Sequence, residues 1–170
     1  MSAVSYRDGT DADAPAVDAL FRQGFTDTFG HLYDPADLAA FFAGFTQEAW
    51  RAELASPDYA FRLAEQHGVL AGYAKVSSPT LPIEISGPAA ELRQLYVLKP
   101  WQGAGIAPAL MDWVLGEARR RGAEQLVLSV FIDNHRAKAF YARYGFEAVG
   151  RYDFMVGGHA DEDIIMRLDL

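Results

Sequence analysis

The sequence predicts an α+β domain, and three observations carry that expectation. Strand-like runs at residues 59–66 and 69–76 flank His67-Gly68, a two-residue hairpin signal. An apolar strand, Leu95-Tyr96-Val97-Leu98, passes through Lys99-Pro100 into a glycine-spaced helix start, and a second apolar strand at 125–132 follows that helix. A helix joining two strands in this way makes them parallel through a right-handed crossover. Finally, helical and strand patterns alternate along all 170 residues with no repeat, linker or low-complexity segment, so a single domain spanning 1–170 is expected.

Taken in order, residues 3–7 read as a first strand. Asp11 or Asp13 caps a helix with Pro15 in its first turn, ending near Gly24. Phe25 to Tyr33 reads as an aromatic loop, and 35–44 and 47–55 as two short helices. After the hairpin, residues 77–88 carry three prolines and form a loop. The central helix places Ile106, Leu110, Val114 and Ala118 on one face and runs to about Arg121, where arginines and Gly122 mark its end. A helix over 134–144 stops at Gly145. A strand near 148–154, a loop through Asp163 and a last strand over 164–168 complete the chain.

Composition sets broad limits. Hydrophobic residues make up 51% and charged residues 22%, an ordinary globular balance. There is no cysteine, hence no disulfide framework and no thiolate metal site. His31, His67, His135 and His159 show no metal-ligand spacing, and no Gly-x-Ser-x-Gly occurs. The N-terminal residues lack a basic, then apolar, signal pattern, and no apolar run reaches membrane-spanning length, so a cytoplasmic location is expected. A net charge of −8 argues against nucleic acid and suits cationic partners.

The stretch from Leu92 to Ala107 is where binding chemistry concentrates. The first turn of a helix has amide N–H groups without intrahelical partners, and the macrodipole adds positive potential there. Small residues Gly103, Ala104, Gly105 and Ala107 let an anion approach the backbone itself. The spacing is not the dinucleotide G-x-G-x-x-G, and no Gly-Lys-Ser/Thr follows. On the glycines alone, a tight turn that needs them for its dihedrals is the favoured reading.

The whole string is more specific. Gln102-x-x-Gly105-x-Ala107, preceded by Leu95-Tyr96-Val97, resembles the Q/R-x-x-G-x-G/A signature of the GNAT acyl-CoA N-acyltransferase superfamily. A second block, Asn134-x-x-Ala137-x-x-Phe140-Tyr141-x-x-x-Gly145-Phe146, is similar to that family's N-x-x-A-x-x-F-Y-x-x-x-G-F and lies at the family's spacing. The resemblance implies a mixed, largely antiparallel sheet flanked by helices, and acetyl-CoA as co-substrate without a metal. It implies that the turn Gln102, Gly103, Ala104, Gly105, Ile106 and Ala107 wraps the coenzyme's pyrophosphate. Leu95, Tyr96 and Val97 would hydrogen-bond the pantetheine arm in the manner of an added strand. Where most relatives place serine, lysine or arginine after Ala107, this chain has Pro108, which offers no N–H.

Acetyl transfer to an amine requires the amine to lose a proton, the thioester carbonyl to be polarised and the leaving thiolate to be protonated. An alkyl ammonium of pKa about 10.4 is neutral to about one part in a few thousand at pH 7, a deficit of about 4.6 kcal/mol. Glu91 is the candidate base: alternation puts it on the strand face of Arg93, Leu95 and Val97, and some relatives carry a glutamate at this distance from the turn. A solvated carboxylate with proton transfer through water is the competing reading. Asn134 and Tyr141 stand seven residues apart, two helical turns and one face. Asn134 would then meet the pantetheine arm and Tyr141 the sulfur, as general acid. Lys138, with Arg136, is placed to meet the 3′-phosphate or adenine end. Trp101 and Trp113 read as packing residues.

The segments Phe25-Thr26-Asp27-Thr28-Phe29, Ala71-Gly72-Tyr73-Ala74-Lys75-Val76 and Phe154-Met155-x-Gly157 with Asp163-x-Ile165-Met166 resemble bacterial polyamine N-acetyltransferases of the PaiA type. That resemblance implies a small, polycationic amine such as spermidine or spermine, with a homodimer compatible. Asp27, Asp34, Asp37, Glu84, Asp161, Glu162 and Asp163 fall in expected loops and helix starts, where clustered carboxylates draw a polycation. A protein N-terminus or lysine as acceptor, and a coenzyme-binding module with little turnover, are the alternatives.

Overall fold

The computed structural model describes residues 3–170; Met1 and Ser2 lie outside them. Seven strands form one sheet in the order β1-β2-β3-β4-β5-β7-β6. The strands are β1 Ser5–Asp8, β2 Tyr59–Gln66, β3 Val69–Ser77, β4 Ala89–Val97, β5 Gln125–Phe131, β6 Glu147–Val156 and β7 His159–Asp169. Five α-helices flank the sheet: α1 Ala14–Phe29, α2 Pro35–Ala43, α3 Gln47–Ala55, α4 Ile106–Arg120 and α5 His135–Arg143. Every strand pairing is antiparallel except β4 with β5, the two strands that α4 connects. That exception creates the site. β4 and β5 pair only across Ala89↔Gln125, Ala90↔Leu126 and Glu91↔Val127, so the rest of β4 has no strand partner on its β5 side.

The two faces bury different chemistry. Against α4 and α5 lies an aliphatic core, with Ile106, Leu110, Val114 and Ala118 meeting Ala74, Val76, Leu92, Leu126 and Leu128. The four-residue recurrence of α4 thus faces the sheet, as its sequence requires. Against α1 to α3 lies an aromatic core in which Phe21 touches Phe25, Phe41, Phe42, Phe45, Trp50 and Tyr96.

Three stretches depart from the sequence expectations. The segment from Phe25 to Phe29, read as loop, continues α1. Phe21, Phe25 and Phe29 recur at four-residue spacing, and Phe25 stacks on Tyr33 at 5.9 Å. Gly24 is not a stop: a Cβ there would stand 2.9 Å from the Tyr96 ring, so the glycine lets α1 settle onto β4.

The segment read as a loop through Asp163 is instead the start of β7, paired with β6 around Gly157-Gly158. Gly157 takes φ +58, and a Cβ would strike the Asp37 backbone at 2.6 Å. Burial alternates along this strand, and Asp161 and Asp163 occupy inward positions.

The third departure concerns β4. A register shift opposite Lys75/Val76 makes Arg93 a β-bulge, so that Leu92 before it and Leu95 and Val97 after it all face the aliphatic core while Tyr96 faces the aromatic one. Simple alternation across Arg93 therefore fails, and Glu91 does not share a face with Leu95 and Val97.

Candidate active site

A cavity of about 930 Å³ runs through the gap between β4 and β5. At one side it meets the start of α4. Gly103 (φ +83) and Gly105 (φ +84, the N-cap) are both left-handed, and a Cβ on either would project into open space. Among the described residues the amides of Gly103 and Gly105 have no backbone partner, and those of Ile106 and Ala107 lie in the first helical turn. A bare backbone cradle at a helix N-terminus fits a pyrophosphate. Gln102 braces it, donating Nε2 to the Val97 carbonyl (3.0 Å) and accepting from Arg136 (3.1 Å).

Of the residues expected to hold the coenzyme, Leu95, Tyr96, Val97, Gln102, Gly103, Gly105, Ile106, Ala107 and Asn134 line the cavity, as does Pro108. Ala104 and Lys138 do not. The Lys138 ammonium donates to the Ile132 carbonyl at 2.9 Å, tying α5 to the preceding turn; Arg136 and Arg143 are the cavity's cations from that helix.

Asn134 caps α5, its Oδ1 accepting from the Ala137 amide (3.2 Å), which leaves Nδ2 to donate. Tyr141 lines the same cavity two turns on, its ring held edge-on by Phe140 and Phe146. Its hydroxyl makes no hydrogen bond among the described residues, and burial pushes its pKa above the ordinary value, so it remains a proton donor across the working range. Tyr96, reaching the gap from the other face, has its pKa raised by burial first and then by the nearby Tyr141 and Asp163 groups.

Glu91 is only 4% exposed. One carboxylate oxygen accepts from the Thr80 and Leu81 amides (2.7 and 3.1 Å), and the other faces Arg93 Nε at 3.1 Å. Glu91 thus pins the loop between β3 and β4 to the cavity wall. Lys75 is likewise neutralised by Glu53 at 2.9 Å.

The acids expected to attract a polycation divide. Asp27, Asp161 and Asp163 line the cavity. Asp34 precedes α2, Asp37 accepts from the Gly158 amide (2.8 Å), Glu162 pairs with Arg151 (2.6 Å) and Glu84 lies away from the cavity. Asp161 accepts from the Tyr33 hydroxyl and meets His159 Nε2 at 3.1 Å. Burial, reinforced by the Asp161 charge, pushes Asp163 up to about 7, with the nearby Ser129 hydroxyl acting the other way. The sequence places Asp161 and Asp163 among the polycation-attracting acids but in a loop; the buried–exposed alternation of β7 is the signal that puts them on a strand, facing inward. Trp101, expected to pack, also lines the cavity and donates Nε1 to Gln66 Oε1 at 2.9 Å.

The fold, the splayed parallel pair and the phosphate cradle together define an acyl-CoA-dependent transferase. The Acetyltransferase (GNAT) family model matches residues 16–146, and this chain belongs to that family. It is an N-acetyltransferase with acetyl-CoA as its co-substrate. An uncharacterized N-acetyltransferase of Mycobacterium tuberculosis is 35% identical over 137 residues, 80% of this chain and 84% of that protein. Another, from Lactobacillus delbrueckii subsp. lactis, is 27% identical over 169 residues and 98% of each chain. The crystal structure of a PaiA N-acetyltransferase from Thermoplasma acidophilum in complex with coenzyme A superposes with a TM-score of 0.78 at 18% identity, covering 99% of both chains.

Proposed function

We propose that this enzyme acetylates a primary amine of a small polycation, spermidine or spermine being the natural candidates, in the cytoplasm. One observation carries the reading: the cavity's charge is segregated. The cavity's cations besides its paired Lys75 and Arg93 are Lys99, just before the phosphate turn, and Arg136 and Arg143 of α5, Arg136 meeting Gln102 of that turn. Glu53 with Lys75 and Glu91 with Arg93 cancel within the walls. Asp27, Asp161 and Asp163 then remain with no lysine or arginine partner among the described residues, the last two among the rings of Tyr33, Tyr152 and Phe154. Carboxylates set among aromatic faces suit an alkyl chain bearing ammonium groups, which gains both ion pairing and cation–π attraction.

The thioester supplies an activated acetyl group. The amides of Gly103 and Gly105 and the first turn of α4 hold the pyrophosphate, and the unpaired β4 backbone aligns the arm that follows it. Tyr141 donates its hydroxyl to the sulfur as negative charge develops there. Glu91 keeps the wall formed by Thr80 and Leu81 in place.

The test is thiol release from acetyl-CoA with spermidine, spermine, a lysine peptide, a peptide with a free N-terminal alanine, and free amino acids at equal concentration. Polyamines are expected to give the highest kcat/KM. A peptide preferred over every polyamine contradicts the reading.

A further inference from the structure

Five carboxylates line the cavity: Asp27, Glu53, Glu91, Asp161 and Asp163. Four of them are committed. Asp27 accepts from Gln23 Nε2 at 2.7 Å. Glu53 holds the Lys75 ammonium, Glu91 holds two backbone amides and Arg93, and Asp161 holds the Tyr33 hydroxyl and His159. Each of those carboxylates is thereby tied to a protein donor. Asp163 differs. It is 7% exposed, and among the described residues no cation or N–H side chain meets it; the Ser129 hydroxyl lies nearby.

We propose that Asp163 is the group that takes the proton from the acceptor ammonium, while Glu91 acts as a positioning residue. This rests on the acceptor being an amine that enters the acidic side of the cavity, as proposed above. Position supports it in two ways. Asp163 pairs in the sheet with Phe131 on β5 and Tyr152 on β6, at the end of β5 beyond the splay. Tyr96, within the gap, also responds electrostatically to both Tyr141 and Asp163, so the proposed donor and acceptor of protons flank one ring.

The groups facing Asp163 are accounted for. On its own strand stand Asp161 and, beyond it, His159, which meets Asp161; Tyr152 comes from β6, Ser129 from β5, Tyr96 from β4 and Tyr33 from the turn after α1, while Glu91 and Arg93 lie on the far side of Tyr152 and pair with each other. Tyr152 lies 3.0 Å from the Ser129 oxygen, a hydrogen bond in which either hydroxyl can be the donor. Both neighbours are neutral hydroxyls, so neither cancels the carboxylate's charge. Burial and the Asp161 charge raise its proton affinity to about 7, where a base is most effective at neutral pH.

The proton balance is as follows. One ammonium N–H proton passes to an Asp163 carboxylate oxygen. The freed nitrogen lone pair forms the C–N bond, the C–S bond breaks, and the sulfur's electron pair takes the Tyr141 hydroxyl proton. The second nitrogen proton restores Tyr141, and Asp163 returns its proton to water. Amide, free thiol and one proton result.

The experiment is the pH dependence of kcat/KM with spermidine, and in a separate arm with a lysine peptide, for the unaltered enzyme, Asp163→Asn, Glu91→Gln and His159→Gln. Both amines titrate far above neutrality, so they leave the acidic limb to the enzyme. The unaltered enzyme should show a limb near pH 7. Asp163→Asn should remove that limb and lower the pH 7 rate on the order of 10²–10³-fold. Glu91→Gln and His159→Gln should keep it.

A limb retained in Asp163→Asn, or lost in Glu91→Gln, overturns the assignment. If Asp163→Asn does not fold, the unaltered enzyme decides. Carboxyl ionisation is nearly athermal and imidazole ionisation is not, so a limb that stays put on heating supports Asp163 and one that moves overturns it. Turnover of the lysine peptide alone, with an Asp163-dependent limb, refutes the polyamine reading and leaves this inference standing. Turnover of neither amine refutes both.

Discussion

The two ends of the cavity are built on opposite principles. The end assigned to the coenzyme is local: Gln102 to Ala107 supplies a turn, two left-handed glycines and a helix start within six consecutive positions, and the groups it offers an anion are backbone amides. The acceptor end is assembled from distant chain. Phe25 and Phe29 come from α1, Tyr33 from the turn after it, Phe131 from β5, Tyr152 and Phe154 from β6, and Asp161 and Asp163 from β7. A backbone site tolerates sequence change provided its dihedrals survive. A side-chain site of this kind changes its ligand whenever one of several positions changes, which is how one fold serves many amines.

The largest effect expected from breaking the coenzyme end is at Gly105. Gly105→Val puts a β-branched residue at φ +84 and fills the open space above the turn. Losing two hydrogen bonds to a charged group, at about 1.5–3 kcal/mol each, should weaken acetyl-CoA binding by on the order of 10²-fold or more. Calorimetric titration beside a thermal melt separates lost binding from lost fold. Normal affinity would mean that the pyrophosphate does not sit at this turn.

At the junction of the two ends, Tyr141→Phe should lower kcat by about 10²-fold while acetyl-CoA binding stays nearly intact, because the hydroxyl acts only as the sulfur becomes anionic. Steady-state kinetics with a binding isotherm checks this, and an unchanged kcat would remove Tyr141 from the chemistry.

A smaller change sharpens the local end. Pro108 lines the cavity in the first turn of α4 without an N–H to offer, though its fixed φ keeps that turn preorganised. Pro108→Ser restores the donor at some entropic cost, so acetyl-CoA should bind a few-fold more tightly, by roughly 1 kcal/mol. Weaker binding would show that preorganisation outweighs the extra hydrogen bond.

The same division explains what could be read from the sequence. The α4 face, the parallel β4–α4–β5 unit and the turn at 102–107 were legible because each depends on neighbours within a few residues. The α1 extension was missed because a mid-helix glycine resembles a stop until Tyr96, some seventy residues away, is seen against it. The β4 bulge was invisible for a similar reason: it is defined by register against β3. Asp161 and Asp163 carried a strand alternation, but three consecutive acids, Asp161-Glu162-Asp163, read as loop until β6 and β5 bury two of them.

The central claim, a cation-attracting acceptor end, is tested most directly by the KM for spermidine as a function of ionic strength, in the unaltered enzyme and in Asp161→Asn. Screening contracts the electrostatic reach from about 10 Å at 0.1 M salt to about 3 Å at 1 M. KM should therefore rise with salt in the unaltered enzyme; in the variant it should start higher and climb less steeply. A spermidine KM that ignores salt, and is the same in both proteins, would contradict the account.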